Sequence, residues 1–186
     1  MPNWCANSLQ LTAASKEEAD EFAIFLKSLQ RNHDADSSQP TLFGYFVPEE
    51  WEEDEDRDTI MPNWYSWRIE HWGTKWDASM HDWAWVDDTT VVLTFDTAWS
   101  PPIETYEAMV EQGWLVSATY YESGMCFVGS WIDGEDEHYN FADCETPEAV
   151  RELIGNELDD EYDISGWMEQ MIEEQAQMDA EESSNG

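Results

Sequence analysis

Leu115-Val116-Ser117-Ala118-Thr119-Tyr120-Tyr121, then Glu122-Ser123-Gly124, then Met125-Cys126-Phe127-Val128-Gly129-Ser130-Trp131-Ile132 is the stretch on which the fold turns. Two alternating runs, rich in β-branched and aromatic residues, flank a short polar turn. That pattern predicts a strand, a turn and a second strand, because a strand sends successive side chains to opposite faces. Asp133-Gly134 follows at once and is a hairpin-turn pair, leading to a short strand at His138 to Phe141. Upstream, Trp83 to Val86, Asp87-Asp88 and Thr89 to Phe95 have the same hairpin form. Between the two hairpins, Ser100-Pro101-Pro102 opens a helix to Gln112, since proline suits a first helical turn. Ile103, Tyr106 and Val110 form its inner side, and Gly113 closes it.

Working outward, Asn7 to Thr12 reads as a strand with Leu9 and Leu11 on one face. Ser15-Lys16-Glu17-Glu18 is a capping box, and Ala19, Phe22, Ala23, Leu26 and Leu29 repeat at three and four behind it. Asn32 to Gln39 breaks the pattern and reads as a loop. Eight of the ten residues from Glu49 to Asp58 are acidic, which predicts a solvated loop. Aromatic segments flank it, Phe43 to Val47 and Trp64 to Trp85, the second with six Trp. No element is assigned there before Trp83. After Thr146-Pro147 come two amphipathic segments, Ala149, Val150, Leu153 and Ile154, then Ile164, Trp167, Met168, Met171 and Ile172.

The order β-α-(insert)-β-β-α-β predicts an α+β chain with a ferredoxin-like split βαβ core. Residues 1–145 form that domain, with an acidic and aromatic insertion at about 40–82 and an added β-hairpin. Residues 146–178 are a C-terminal helical extension, and 179–186 a polar tail.

Charge sets the functional question. The chain of 186 residues holds 43 Asp and Glu against 7 Lys and Arg, a formal net charge of −36. Self-repulsion at that level works against a compact state. Yet 12 Trp, 7 Tyr and 7 Phe are not the composition of a disordered segment. A folded body with an intensely negative surface follows. Duplex DNA carries one charge per ~1.7 Å of axis, so this total equals that of roughly 60 Å of duplex. Direct binding to nucleic acid or to an anionic membrane is disfavoured by the same sign of charge. No signal peptide and no membrane span is expected. Three cysteines without a C-x-x-C pair point to reduced thiols and a cytoplasmic setting.

Few motifs carry chemistry. The Trp-rich stretch reads first as core, with a stacking platform for bases or sugars as the alternative. Lys75, between Trp72 and Trp76, reads as a cationic stem packed on indole and paired with Asp77, ahead of a catalytic amine. His33, His71, His81 and His138 have no zinc-site spacing, and Asp133 to Glu137 fits a charged hairpin turn better than a calcium loop. Phosphate-loop, G-x-S-x-G and Cys-His signatures are absent from the sequence, so an enzyme, a cofactor and a metal are not expected.

Four stretches taken together resemble a known family. Met1-Pro2-Asn3-Trp4-Cys5 with Asn7, Trp72-Gly73-Thr74-Lys75-Trp76-Asp77, Phe95 through Pro102, and Tyr120 through Phe127 are similar to the phage- and plasmid-borne family of unknown function with a YubB-type ferredoxin-like domain. The resemblance covers roughly residues 1 to 142 and implies a mobile-element origin, with no catalytic residues to carry over.

Dense acidic runs occupy the loop at 49–58, the 133–137 turn and the C-terminal helices. This clustering favours a DNA- or RNA-mimicking inhibitor over solubility or salt tolerance, with a basic nucleic-acid-binding groove of a host protein as its partner. A restriction or CRISPR-type defence system in the bacterial cytoplasm is the expected target. The expected contact residues are Glu49, Glu50, Glu52, Glu53, Asp54, Glu55 and Asp56, with Asp159, Asp160 and Glu161 second. The alternative is a non-catalytic adaptor or structural protein that binds a partner, or a second copy, through the apolar stripe of its last helix.

Overall fold

A computed structural model describes residues 3–31, 41–50 and 63–184. Among the described residues the strands are β1 (Trp4–Thr12), β2 (Ser79–Trp85), β3 (Thr90–Ala98), β4 (Leu115–Glu122), β5 (Phe127–Ile132) and β6 (Glu135–Asn140). The helices are α1 (Lys16–Arg31), α2 (Leu42–Phe46), α3 (Asn63–Trp72), α4 (Ile103–Glu111), α5 (Pro147–Tyr162) and α6 (Ile164–Ser184). The chain is α+β, and its strands form one antiparallel sheet in the order β2-β3-β1-β4-β5-β6. No described helix is long and apolar enough to cross a membrane.

Alternation along the strands builds two faces. Cys5, Asn7, Leu9 and Leu11 of β1 are buried, whereas Trp4 and Gln10, in the alternate phase, are exposed. Leu9, Leu11, Val91, Leu93, Phe95, Val116 and Trp131 share one core with Phe22 and Leu26 of α1, Phe43 of α2, Trp72 of α3, and Tyr106 and Met109 of α4. Each fully buried side chain of that size stabilises the fold by roughly 1.5–3 kcal/mol against exposure. Among the described residues, the opposite face is covered at the β4–β6 end only. There Val128 packs with Val150, Ile154 and Leu158 of α5 and Ile164 of α6, flanked by Tyr121 and Tyr139. Over β1 and β3 that second face presents Ser8, Gln10 and Thr94, none of them buried.

Local signals fix most boundaries. Ser15 Oγ accepts from the Glu18 amide at 3.2 Å, and Glu18 answers by accepting from the Ala14 amide at 2.9 Å. Thr146 caps α5 through the Ala149 amide at 3.2 Å, with Pro147 in its first turn. Asp133 and Gly134 both have positive φ, 46° and 103°, as a two-residue hairpin turn demands. Gly129 answers a different need, because a Cβ there would stand 2.4 Å from the Tyr120 ring.

The structure departs from the sequence expectation in the aromatic insertion. α2 and α3 form where no element was assigned, and β2 begins at Ser79, inside the stretch read as insertion, with a bulge between Met80 and Asp82. Trp72 is fully buried, donates its indole N–H to Val47 O at 3.0 Å and meets Phe43 edge-on at 5.8 Å. Trp67, Trp83 and Trp85 pack against the same core, so these indoles are chiefly structural. β6 starts earlier than expected, and α6 carries the polar segment from Asp179 on as helix through Ser184. The loop expected at 32–39 lies outside the described residues.

All three cysteines are free, and they differ in reach. Cys5 is fully buried, and that burial pushes its thiol up to about 12. Cys126 and Cys144 are half-buried. Iodoacetamide at mild alkaline pH is therefore expected to label Cys126 and Cys144 in the native protein and Cys5 only after denaturation, read by peptide mass spectrometry. Native labelling of Cys5 would refute its place under the sheet.

Candidate functional site

One end of the sheet is built by the four stretches singled out above. The Trp99 amide donates to Asn3 O at 3.0 Å, Thr74 Oγ1 to Ala98 O at 3.0 Å, and Ser100 Oγ to Gly73 O at 2.8 Å. Thr105 Oγ1 donates to Trp72 O at 3.2 Å. Beneath them Asn7 is buried with its amide satisfied. Its Nδ2 donates to Cys5 O at 2.7 Å and Thr97 Oγ1 at 2.9 Å, and its Oδ1 accepts from the Tyr106 hydroxyl at 3.1 Å. Glu122, also buried, accepts from the Gly124 and Met125 amides at 2.8 and 2.7 Å, closing the β4–β5 turn. A buried polar set with every member bonded acts as a brace, since each lost partner costs about 1–3 kcal/mol.

That brace holds an aromatic patch at the surface. Trp4 and Trp99 are exposed, and each ring centroid lies 6.1 Å from that of Trp76. Lys75 places its Nζ 4.7 Å from the Trp76 centroid and 5.5 Å from those of Trp99 and Tyr65. Its stem packs on indole as the sequence suggests. Trp99 sits at φ 70°, a left-handed conformation that costs a bulky residue roughly 1–2 kcal/mol. Tyr65 and Trp99 stand apart from Lys75 in sequence, so no local pattern marks them as its partners, nor Trp4 as a neighbour of Trp76. The signal for Asn7 was present: it falls in phase with Leu9 and Leu11, a polar residue on an apolar face.

The expected Lys75–Asp77 pair is not formed. Asp77 instead accepts from the Leu42 and Phe43 amides at 3.0 and 2.7 Å, at the start of α2. Burial pushes its carboxyl up to about 6, against the opposing pull of those amides and of Arg68.

Among the described residues, the acidic side chains expected to bind a partner are spread rather than gathered. Glu49 and Glu50 follow α2 and are exposed, and Glu49 accepts from Arg68 Nε at 3.0 Å. Arg68 in turn lies over Trp72 and Trp64, at 4.8 and 5.2 Å. Glu52, Glu53, Asp54, Glu55 and Asp56 lie outside the described residues. Asp160 and Glu161 are exposed on α5. Asp159 is a correction: it is buried, accepting from the Ser165 amide and hydroxyl at 2.8 and 2.5 Å and from Arg151 Nε at 3.1 Å. Burial pushes its carboxyl up, but Ser165 and Arg151 outweigh that and hold it below its usual range. It joins α5 to α6 and is not a surface contact.

Glu49 and Glu50 adjoin the helices on one face of the sheet, whereas α5 covers the other. The third run, Asp133 and Glu135 to Glu137, lies at the β6 edge. Three of its carboxylates have internal partners, Asp133 with the Val116 amide at 2.9 Å, Asp136 with the Tyr120 hydroxyl at 2.7 Å and Glu137 with the Tyr139 hydroxyl at 3.3 Å. Among the described residues no group of three His, Cys, Asp or Glu is placed to hold a metal ion. His81 meets Asp96 at 3.0 Å, and His71 stacks on Trp67 at 4.3 Å.

A raised carboxyl gives a signed expectation. Asp77 favours the proton in the folded state, so it adds stability below the ordinary carboxyl range, and that contribution is lost as pH rises through about 6. Urea unfolding from pH 4 to 7 is expected to show the native chain losing about 2 kcal/mol more than Asp77→Asn. Parallel pH profiles for the two proteins would remove Asp77 from this role.

Compared with known proteins, the chain matches no family model, no curated protein and no solved structure.

Proposed function

We propose that this chain is a non-catalytic inhibitor whose carboxylates take the place of nucleic-acid phosphates in a basic groove of a host protein. One observation carries the reading: exposed negative charge is placed where folding disfavours it. α4, α5 and α6 have no basic residue in their last turns, and α5 ends instead on Asp160 and Glu161. Helix C-termini favour cations, so each such carboxylate costs roughly 0.3–1 kcal/mol. Solubility is served equally well by acids placed elsewhere on a helix. A surface that holds negative potential against its own stability suits a cationic partner that relieves it.

The fold is read as a ferredoxin-like split βαβ core. The chain order β1, α1, β2, β3, α4, β4, with these strands lying β2-β3-β1-β4, supports that reading. The likeness to the YubB-type mobile-element family points to a phage or plasmid source acting in the bacterial cytoplasm. A restriction or CRISPR-type defence protein is the economical target. Because the acidic groups occupy different faces, one groove engages one of them at a time. The 49–58 run is assigned the primary contact, and Asp160 with Glu161 the secondary one.

Pull-down from host lysate is expected to capture a nucleic-acid-binding protein at low salt and to release it at moderate salt. Reversal of Glu50, Glu52, Glu53, Asp54, Glu55 and Asp56 to Lys is expected to abolish inhibition with the fold retained. Asp160→Lys with Glu161→Lys is expected to raise unfolding stability by about 0.3–1 kcal/mol each while weakening capture. Unchanged capture by both variants would reject the proposal.

A further inference from the structure

α6 carries an apolar stripe that begins inside the molecule and runs out of it. Ile164 is 1% exposed and Met168 packs at the edge of the second core, whereas Trp167, Met171, Ile172 and Met178 are 54%, 45%, 49% and 54% exposed. At ~100° per residue these positions share one arc of about 140°, in which Gln175 is the polar member. The stripe is therefore a core-facing surface continued beyond the core. Three of its side chains are Met, which adapts to varied partners better than branched residues do.

Charge decides what covers it. Glu169, Glu173 and Glu174 lie on the same helix, which has no Lys or Arg along its length. Glu169 is partly engaged by Arg151 at 3.6 Å, and Gln170 donates to Glu174 at 2.8 Å, so neither contact adds a positive charge of α6 itself. A second copy would bring an equally acidic helix against this one, and like charges repel. Segments 32–40 and 51–62 of the chain are themselves net acidic. A basic amphipathic helix satisfies both requirements at once. Its apolar side meets the Met-rich stripe, and its Lys and Arg side chains reach Glu174 on one side of the stripe and Glu169 on the other, Glu173 lying on the back of the helix. The stripe from Ile164 to Met178 is about 21 Å long, which asks for roughly four helical turns of partner.

We infer that the outer length of α6 docks a basic amphipathic helix of a partner protein. This goes beyond phosphate mimicry and holds whether or not the acidic loop enters a groove, because apolar contact contributes most of the affinity and survives salt.

The probe is a peptide of about 18 residues with Leu at i, i+3, i+4 and i+7 and Lys elsewhere, beside a scrambled peptide of the same composition. Titration calorimetry on the full chain at about 0.15 M salt is expected to show at least tenfold weaker binding of the scrambled peptide. Met171→Glu with Met178→Glu is expected to weaken the helical peptide at least tenfold, although it adds two negative charges. Equal or tighter binding by this variant would show bulk electrostatics alone and overturn the inference. Self-association of the native chain that the same variant abolishes would make a second copy the occupant, and would also overturn it. Methionine methyl NMR guards against a misfolded variant. In the native chain, the peptide should shift Met171 and Met178 and leave Met109 in place, whereas shifts confined to other methionines would refute the site.

Discussion

β1 is hydrogen-bonded along both edges, to β3 from Trp4 to Thr12 and to β4 from Cys5 to Thr12, and every other part of the core is placed by that pairing. Strand register has a period of two, so a slip of one residue would turn Leu9 and Leu11 to the open face and Gln10 inward. Asn7 makes such a slip costlier still. In phase with the leucines, it finds partners in Thr97 and Tyr106, on β3 and α4. A shifted strand would leave that amide buried without them. β1 thus pairs with segments between 78 and 117 residues later in the chain. Such non-local pairing predicts slow folding compared with a helical protein of the same size.

The aromatic insertion solves a packing problem. Leucines from β1 and α1 cover only part of the sheet face, and Phe43, Trp72 and Phe95 fill the rest with edge-on ring contacts. α2 is only five residues long and is too short to hold itself. It is held from outside, by Thr41 at its cap and by the Asp77 carboxylate on its first amides. Asp77 therefore belongs to the scaffold, and Lys75 is left to the surrounding rings of Tyr65, Trp76 and Trp99.

Charge is arranged around this scaffold on terms that differ from place to place. Asp159 and Asp133 have become structural acceptors, and Glu49 holds Arg68. Asp160 and Glu161 lie against the helix dipole on the face away from Glu49. Among the described residues these carboxylates therefore lie on separate faces of the sheet and do not form one continuous surface. At physiological salt the Debye length is about 8 Å, so fields on opposite faces act independently. A partner senses whichever face it meets.

Short-range physics made much of the fold legible. Alternation marked β1, β3, β4 and β5, the Ser15 capping box marked α1, the apolar spacing after Thr146-Pro147 marked α5, and Asp133-Gly134 marked the last hairpin. Those signals are local because a strand face, a cap or a two-residue turn is decided within a few residues. The sequence by itself also determined the sign and amount of charge and the apolar stripe of α6. Tertiary structure alone decided which carboxylates remain at the surface, since Asp159 and Asp160 are neighbours in sequence and only one of them meets Ser165 and Arg151. It alone assembled Trp4, Tyr65, Lys75, Trp76 and Trp99, which no periodicity connects. It alone formed α2, because the carboxylate that holds its amides lies thirty-five residues away in the chain. Long-range contacts of this kind leave no local pattern in a sequence, because the residues that meet are set by the fold and not by their neighbours.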